Sequence, residues 1–162
     1  MELTILLPVY NEDKTIIEIL TQIKNLNLKI NYEVIVINDN SIDETKKLLG
    51  LNTHLYSKLI NNIENSGKGF CVKKGLEISQ GKYVIFQDAD LEYDPKEFYK
   101  FINLINKFDP DLIIGSIILI SSSPNFPFSP AWGFNPDTIT LGFLILKSLF
   151  KLLYKHFILL NK

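Results

Sequence analysis

Short apolar runs alternate with segments of helical periodicity over the first 115 residues of the chain. The apolar runs are nearly continuous, as expected for strands buried on both faces of a parallel sheet. Between them apolar residues recur every three or four positions, as at Ile16, Ile19 and Ile23, which is typical of amphipathic helices. Strands are predicted at residues 3–9, 33–38, 54–60, 82–87 and 111–114, and helices at 12–26, 41–49, 67–79 and 94–108. This alternation predicts an α/β fold with a mostly parallel sheet flanked by helices.

The sequence marks the start of two of these helices. Ser41 and Glu44 have the spacing of a capping box, in which the hydroxyl accepts one free amide hydrogen and the carboxylate reaches back to another. Asp94 precedes Pro95, which suits the first helical position, and Glu97 stands three residues after Asp94. We therefore expect one helix to begin just after Ser41 and another just after Asp94.

The pattern changes after Gly115. Residues 116–137 are rich in serine, proline and aromatic residues and are predicted to be irregular. Residues 138–162 have a helical period, with Lys147, Lys151 and Lys155 on one face and large apolar residues on the other. This amphipathic helix could place its lysines on anionic lipid headgroups, as a peripheral membrane contact, or could lie over a protein core with its lysines in solvent. The chain is thus divided into a core at 1–115, an irregular segment and a C-terminal helix.

Composition narrows the class of protein. The chain has 162 residues, of which 46% are hydrophobic and 22% are charged, and this balance suits one globular domain. Its net charge of −1 provides no broad basic surface, so nucleic acid is not an expected partner. Cys71 is the single cysteine, which favours a reducing compartment, and neither a signal peptide nor a transmembrane segment is recognisable. We expect a cytoplasmic protein that works at the cytoplasmic face of a membrane.

Polar residues follow each of the first four predicted strands. In an open parallel sheet these strand ends share one crevice, where ligands bind. The residues are Tyr10, Asn11 and Glu12 after the first strand, Asp39, Asn40 and Ser41 after the second, Asn65, Gly67, Lys68 and Gly69 after the third, and Asp88, Asp90 and Glu92 after the fourth. A ligand site at this edge of the sheet is the strongest functional prediction that the residues alone support.

Several of these residues also have a purely structural interpretation. Asp39 could accept hydrogen bonds from a base or a ribose, or it could cap the helix that follows. Lys68 lies between two glycines, a pattern that suits a phosphate cradle and equally an ordinary loop. Tyr10 could stack on a base or simply pack against its neighbours.

Asp88 and Asp90 are candidates for a metal site. Two carboxylates two residues apart in a turn can lean toward one cation; the alternative is a solvated turn ahead of the Asp94 cap. Mg²⁺ or Mn²⁺ prefers oxygen ligands and often takes only one or two from the protein, while phosphates and water supply the rest. Such an ion would neutralise charge that develops on a diphosphate leaving group.

Four motifs, in this order and at this spacing, resemble those of family 2 glycosyltransferases. They are PVYNE at 8–12, VINDNSIDET at 36–45, NSGKG at 65–69 and QDADLEYDP at 87–95. The last motif is similar to that of the dolichyl- and polyprenyl-phosphate mannosyl- and glucosyltransferase branch. The resemblance implies a GT-A fold, which is Rossmann-like. It also implies transfer of a sugar, with inversion, from a UDP- or GDP-linked donor to an acceptor, with polyprenyl or dolichyl phosphate favoured over a glycan.

The resemblance implies roles for individual residues as well. Asp88 and Asp90 would hold Mg²⁺ or Mn²⁺ together with the diphosphate of the donor. The nucleotide-sugar donor would be bound by Pro8, Tyr10, Glu12, Asp39, Lys68, Gly69, Gln87 and Asp88. The catalytic residues are not identified: a sugar hydroxyl as acceptor would need a general base, whereas a phosphate acceptor is already anionic near neutral pH.

The chain departs from the family pattern in its last third. The arginine that usually follows the fifth strand is replaced by Gly115, Ser116 and Ile117, and the acceptor-binding segments have no match in residues 121–162. The alternative is therefore a truncated or non-catalytic nucleotide-sugar-binding module that lacks the acceptor half. A third hypothesis is a receiver domain that is phosphorylated on Asp39 at its strand end.

Overall fold

The structure of the protein is a computed structural model that describes residues 1–109, 112–114, 118–120 and 144–147, with side chains described for 1–109. The strands are β1 (Leu3–Val9), β2 (Tyr32–Asn38), β3 (Lys58–Asn61), β4 (Tyr83–Phe86), β5 (Leu112–Ile114), β6 (Ile118–Ile120) and β7 (Leu144–Lys147). The helices are α1 (Ile16–Asn25), α2 (Thr45–Leu51), α3 (Lys68–Ile78) and α4 (Phe98–Phe108). Two short 3₁₀ helices, Thr53–Leu55 and Pro95–Glu97, precede β3 and α4.

The described strands form one seven-stranded sheet in the order β3-β2-β1-β4-β7-β5-β6. The strands β1 to β4 run parallel to one another, with β1 between β2 and β4. The strand β7 pairs antiparallel with β4 and with β5, and β6 pairs antiparallel with β5. The predicted mostly parallel sheet flanked by helices is confirmed in the four-stranded part.

The central strands β1, β2 and β4 are almost entirely buried, which explains their unbroken apolar sequences. On one face of the sheet, Ile5 and Leu7 of β1 belong to a core that includes residues of α1 and α4. On the other face, Leu6 packs in a second core with Cys71 and Val72 of α3. Successive side chains of a strand point to opposite faces, so one strand supplies both cores. Helices therefore cover the sheet on both sides.

Helix α3 approaches the sheet closely at Gly75. A Cβ atom on Gly75 would lie 2.2 Å from Leu6 Cδ1 and 2.8 Å from Ile37 Cδ1. The missing side chain therefore lets α3 pack directly over β1 and β2. Because α3 follows the parallel strand β3, its first residue, Lys68, lies at the carboxyl edge of the sheet.

The C-terminal region differs from the prediction. An amphipathic helix was expected over 138–162, but Leu144–Lys147 form the strand β7. A short apolar run does not distinguish a helix from a strand by its pattern, and here the edge of β4 supplies backbone partners, with Tyr83 opposite Lys147. Likewise Ile118–Ile120 form β6, although 116–137 was predicted to be irregular. The remainder of both predicted segments, including Lys151 and Lys155, lies outside the described residues.

One of the two predicted helix starts is wrong and the other is confirmed. Ser41 does not cap a helix, because its hydroxyl donates to Asn38 Oδ1 at 2.6 Å and α2 begins only at Thr45. The Pro95–Glu97 turn begins as predicted, with the Asp94 carboxylate accepting from the Lys96 amide at 2.9 Å. In the part of the chain that the structure describes, no helix has the length and apolar character needed to cross a bilayer.

Candidate functional site

A cleft of about 210 Å³ lies at the carboxyl edge of the parallel strands. Four successive segments contribute to it, through Tyr10 after β1, Asp39 after β2, Lys68 at the start of α3 and Asp88 after β4. The lining residues are Pro8, Val9, Tyr10, Glu12, Asp39, Lys68, Cys71, Asp88, Ala89 and Asp90. The strand ends that the sequence predicted to share one crevice thus meet in one cleft.

Hydrogen bonds between two loops form the wall that carries Tyr10. The Asn11 amide donates to Ser41 Oγ at 3.0 Å, and the Ile42 amide donates to Asn11 Oδ1 at 2.9 Å. Asn11 turns the chain sharply after β1 with a left-handed φ of 56°, a conformation that asparagine tolerates better than most residues. The loop after β1 is therefore fastened to the loop after β2, and Tyr10 remains 44% exposed at the cleft.

Pro8 and Glu12, which precede and follow Tyr10 in the chain, also line the cleft. The register of β1 with β4 ends at the pair Leu6–Phe86, so Pro8, which has no amide hydrogen, faces no ladder partner from β4. Glu12 is held at its backbone and at its side chain. Its amide donates to Thr45 Oγ1 at 2.9 Å, and its Oε2 accepts from Thr15 Oγ1 at 2.9 Å.

Asp39 lines the cleft just beyond β2 and is only 4% exposed. Its Oδ1 accepts from Asn62 Nδ2 at 2.7 Å, its Oδ2 accepts from the Gly67 amide at 2.7 Å, and the Ser66 amide donates to both oxygens, at 3.0 and 3.2 Å. Burial raises the pKa of this carboxyl, but the hydrogen bonds, with a smaller contribution from Cys71, outweigh burial and hold the pKa below its usual value. Asp39 is therefore ionised at neutral pH, and it does not cap the following helix.

The glycine-containing loop after β3 donates hydrogen bonds to Asp39, so these amides are not free to bind a phosphate. Two of its amides, from Ser66 and Gly67, already donate to the Asp39 carboxylate. Gly67 has a φ of 85°, in the left-handed region that favours glycine. Gly69, a predicted donor-binding residue, does not line the cleft, and a Cβ atom there would meet no atom within 4 Å.

Asn62 and Cys71 belong to the site, although neither is among the site residues predicted from the sequence. Asn62 donates to Asp39 and, at 3.4 Å, to Cys71 Sγ, while its Oδ1 accepts from Lys74 Nζ at 3.0 Å. Burial first, and then the negative charge of Asp39, raises the pKa of the Cys71 thiol to about 12, so this thiol stays protonated. A signal for Asn62 was present in the sequence, since Asn62 directly follows the third strand as polar residues follow the other three.

Gln87 supports the turn that carries Asp88 and Asp90. Its side chain is fully buried and lies outside the cleft lining. Its Nε2 donates to the Asp88 carbonyl at 3.0 Å and to the Tyr93 carbonyl at 3.1 Å, which ties the two ends of the turn together. Its Oε1 is buried without a hydrogen-bond partner among the described residues. Gln87, a predicted donor-binding residue, therefore lies behind the turn rather than in the lining.

Asp88 and Asp90 both line the cleft, and each has one oriented oxygen. Asp90 Oδ1 accepts from the Glu92 amide at 3.0 Å, and Asp88 Oδ1 lies 2.5 Å from Lys68 Nζ. The lining contains four acids and one lysine, so a diphosphate would be repelled there without an added cation.

The donor set suits a hard divalent ion. Within the described residues no group of three or more histidine, cysteine, aspartate and glutamate side chains could hold a metal ion. Two carboxylates nevertheless suffice for an ion that completes its shell with phosphate and water oxygens. Asp88 and Asp90 therefore fit Mg²⁺ or Mn²⁺ that enters together with a diphosphate.

Comparison with known proteins gives the family. The chain matches the model of Glycosyl transferase family 2 over residues 4–159. The protein belongs to glycosyltransferase family 2. The dolichol-phosphate mannosyltransferase of Pyrococcus furiosus is 31% identical to this family 2 chain over 130 residues, which cover 79% of this chain and 37% of that enzyme. Because the chain matches this family, the hypothesis of a receiver domain is rejected.

Two solved structures share the fold of this family 2 chain. Staphylococcus aureus TarS 1–349 in complex with UDP has a TM-score of 0.63 and 24% identity, and the match covers 70% of this chain and 35% of that one. The mannosyltransferase PcManGT from Pyrobaculum calidifontis, in complex with GDP-Man and Mn²⁺, has a TM-score of 0.60 and 22% identity, over 70% of this chain and 34% of that one. These likenesses confirm the GT-A fold. The chain spans about a third of the length of each of these proteins.

Proposed function

We propose that this chain binds a UDP- or GDP-linked sugar and transfers the sugar, with inversion, to polyprenyl or dolichyl phosphate. The observation that carries the proposal is the meeting of Asp39, Asp88 and Asp90 in one cleft at the carboxyl edge of the sheet. Family membership and the 31% identity to a dolichol-phosphate mannosyltransferase support the reaction type and the lipid-phosphate acceptor. Such an acceptor is membrane-bound, so the reaction would take place at a membrane surface, which we place at its cytoplasmic face.

Asp39 and Tyr10 are proposed to bind the nucleoside of the donor. A carboxylate offers about four lone-pair positions, and Asn62, Ser66 and Gly67 make four contacts with the two oxygens of Asp39. Because the Ser66 amide is shared between both oxygens, an N–H of the base or a hydroxyl of the ribose would take the place of one of its two contacts. The exposed ring of Tyr10 offers a face for stacking. Pro8, Glu12, Lys68, Gly69 and Gln87 complete the proposed donor-binding set, with Gln87 acting through the turn that it supports.

Asp88 and Asp90 are proposed to hold Mg²⁺ or Mn²⁺ together with the donor diphosphate. When bound, such an ion neutralises charge on the diphosphate leaving group. The protein contributes a turn whose ends Gln87 ties together and an Asp90 carboxylate oriented by the Glu92 amide. PcManGT, which has the same fold, is solved with Mn²⁺ and GDP-Man, and this supports the choice of ion.

The acceptor determines which chemistry the protein must supply. A sugar hydroxyl would require a general base beside the anomeric carbon. A phosphate monoester loses its second proton with a pKa of about 6 and is therefore a ready nucleophile at neutral pH. In the described lining, the acids Glu12, Asp39, Asp88 and Asp90 all have donor or metal roles in this proposal. A lipid phosphate, which needs no base, is the acceptor that this arrangement favours.

A nucleotide-sugar-binding module without transfer activity is the second candidate. It is favoured by the residues at 115–117, where the family's arginine is replaced, and by the lack of arginine anywhere in the chain. An anionic acceptor requires cationic groups to hold it, and arginine is the residue best suited to bind a phosphate through two hydrogen bonds. Donor binding without product would support this candidate.

Calorimetric titration tests the donor and metal site. The purified chain is titrated with UDP-glucose and with GDP-mannose, with and without Mn²⁺. We expect metal-dependent binding of one donor, and we expect Asp90→Ala to abolish that binding while Glu92→Ala preserves it. Glu92 is a matched control because it is an exposed acid of the same turn, does not line the cleft, and contacts Asp90 only through its backbone amide. Metal-independent binding, or equal effects of the two substitutions, would contradict the metal role.

A transfer assay then separates the two candidate functions. The donor identified by calorimetry is supplied in radiolabelled form with polyprenyl phosphate in one reaction and a soluble glycan in another. Label in the lipid fraction that depends on Asp90 would establish transfer to lipid phosphate. Label in the glycan alone would correct the acceptor, and label in neither, with donor binding intact, would leave the binding module.

A further inference from the structure

Lys68 forms an ion pair with Asp88, one of the two carboxylates proposed to hold the metal ion. Its Nζ lies 2.5 Å from Asp88 Oδ1, with the lysine side chain 46% exposed and the aspartate side chain 21% exposed. Of the described residues that line the cleft, Lys68 is the one with a positive charge. The neighbouring Lys74 is held elsewhere, by Asn62 Oδ1 at 3.0 Å. The ammonium of Lys68 therefore neutralises the negative charge of Asp88 in the free protein.

The backbone of Lys68 is fixed while its side chain can move. Lys68 is the first residue of α3, and the Gly67 carbonyl just before it accepts from the Phe70 and Cys71 amides. Four methylene groups separate this fixed backbone from the ammonium, and the side chain is 46% exposed. The ammonium can therefore leave Asp88 without any change in the fold.

We propose that Lys68 is an exchange residue: it neutralises Asp88 in the free protein, yields Asp88 to the divalent ion, and then contacts the donor diphosphate. The inference rests on the proposed donor and metal site and adds an order to it. Metal alone must displace an ammonium and then remain beside it, so it binds weakly. Metal that arrives with a diphosphate converts that repulsion into attraction, because the released ammonium meets phosphate oxygens.

The exchange implies coupling with a definite sign. The metal and the nucleoside diphosphate should each raise the affinity for the other by the same factor, since such coupling is reciprocal. Removing the ammonium should strengthen the binding of metal alone and weaken the binding of the diphosphate in the presence of metal. A lysine that merely supports the turn would not produce these opposite changes, because loss of support would weaken both.

Electron paramagnetic resonance of free Mn²⁺ measures both quantities. Mn²⁺ is titrated into the wild type, Lys68→Met and Lys73→Met, alone and with saturating UDP or GDP, and nucleotide affinity is measured at fixed Mn²⁺. For Lys68→Met we expect Mn²⁺ alone to bind about three- to tenfold more tightly, and the nucleoside diphosphate to bind about three- to tenfold more weakly, as expected for a partly exposed charge pair. Lys73→Met removes a lysine of the same helix that does not line the cleft, and should change neither affinity.

The outcomes separate the exchange role from the proposed site. If the wild type binds Mn²⁺ with a nucleotide but Lys68→Met binds Mn²⁺ alone no better than the wild type, the exchange role is wrong and the site stands. If the wild type binds no Mn²⁺ with either nucleotide, the proposed metal site fails and the exchange role fails with it. Lys68→Gln repeats the titration with a polar side chain, and the same opposite changes in both variants would exclude an effect of misfolding.

Discussion

Each end of β2 carries a buried carboxylate, and the two carboxylates differ in the charge of their hydrogen-bond partners. Glu33, near the amino end, is 2% exposed, and Asp39, beyond the carboxyl end, is 4% exposed. Glu33 accepts from Thr4 Oγ1 at 2.8 Å, from the Gln80 amide at 2.6 Å and from Lys58 Nζ at 3.0 Å. Burial raises the pKa of Glu33, but these hydrogen bonds and the Lys58 charge outweigh it, so the pKa is lowered, as it is for Asp39.

The difference between the two ends lies in the charge of the partners. Lys58 neutralises Glu33, and the resulting network joins β1, β2 and β3 to the loop before β4. Asp39 is held by neutral donors alone, from Asn62, Ser66 and Gly67, and its negative charge stays at the wall of a cleft. A buried charge without a counter-ion is costly to keep, and we propose that its retention at this end serves the binding of a ligand rather than the fold.

Two glycines give the strongest test of this contrast. At the amino edge, a Cβ atom on Gly81 would lie 2.5 Å from the Thr4 nitrogen and 2.7 Å from the Tyr83 carbonyl oxygen, and backbone atoms cannot move aside easily. We expect Gly81→Ala to lower the free energy of unfolding by about 3 kcal/mol, at the upper end of overpacking effects. Gly69→Ala, at the carboxyl edge and with open space around its Cβ, should leave stability unchanged or slightly raised.

Urea denaturation of the two glycine variants makes this measurement. We expect donor affinity to fall in Gly69→Ala, because the proposed site brings the donor close to the backbone there, and to be retained by the folded fraction of Gly81→Ala. Equal losses of stability at both positions would show that the carboxyl edge is packed as tightly as the amino edge.

The carboxylates themselves provide the second test. Glu33→Gln leaves Lys58 without its counter-charge and places an amide N–H₂ where an acceptor is needed. We expect a loss of about 2 to 3 kcal/mol, below the value for a fully buried pair because the Lys58 side chain is 36% exposed. Asp39→Asn mispairs one amide donor without stranding a charge, so we expect a smaller loss of about 1 to 2 kcal/mol.

Binding should reverse the ranking of these two substitutions. Donor affinity should be lost in Asp39→Asn and retained in Glu33→Gln, as measured by calorimetry on the folded proteins. Glu64→Gln, at an exposed glutamate after β3, is the control and should change neither quantity measurably. If Asp39→Asn bound the donor as well as the wild type, both carboxylates would be structural and the contrast between the two ends would disappear.

The fold was predictable where local pattern and burial agree. The strands β1, β2 and β4 have unbroken apolar sequences because both faces are covered, and their predicted bounds lie within one residue of the structure at every end. The third strand was predicted to begin at residue 54, but Thr53–Leu55 form a 3₁₀ helix and β3 begins at Lys58. The strand β7 depends on pairing with β4, some 60 residues away in the chain, and no local pattern encodes such a partner.

The sequence predicted which strand ends form the site, but not which side chains contact one another there. Parallel strands bring their carboxyl ends to one edge, so the predicted Tyr10, Asp39 and Asp88 meet in one cleft. The direction in which each side chain points does not follow from this rule. Gln87 follows the same strand as Asp88, yet alternation along the chain turns it into the interior. The Lys68–Asp88 contact joins residues 20 positions apart and depends on how closely α3 packs at Gly75.

Acid should weaken both ends of β2, with the smallest effect of the three tests. Glu33 and Asp39 each have a lowered pKa in the folded protein, so on acidification the unfolded chain takes up protons first. Their contribution to stability is therefore complete above the ordinary carboxyl values of about 4.3 and 3.9, and it is lost as pH falls through the lowered folded values. Each group can add at most about 1.4 kcal/mol per pH unit to the slope.

Urea midpoints of the wild type and Glu33→Gln, measured from pH 6 to pH 3, should run parallel above pH 5 and converge below pH 4. Curves that stayed parallel to pH 3 would mean that the Glu33 network does not favour the ionised carboxylate, and the amino end of β2 would then be held by packing alone.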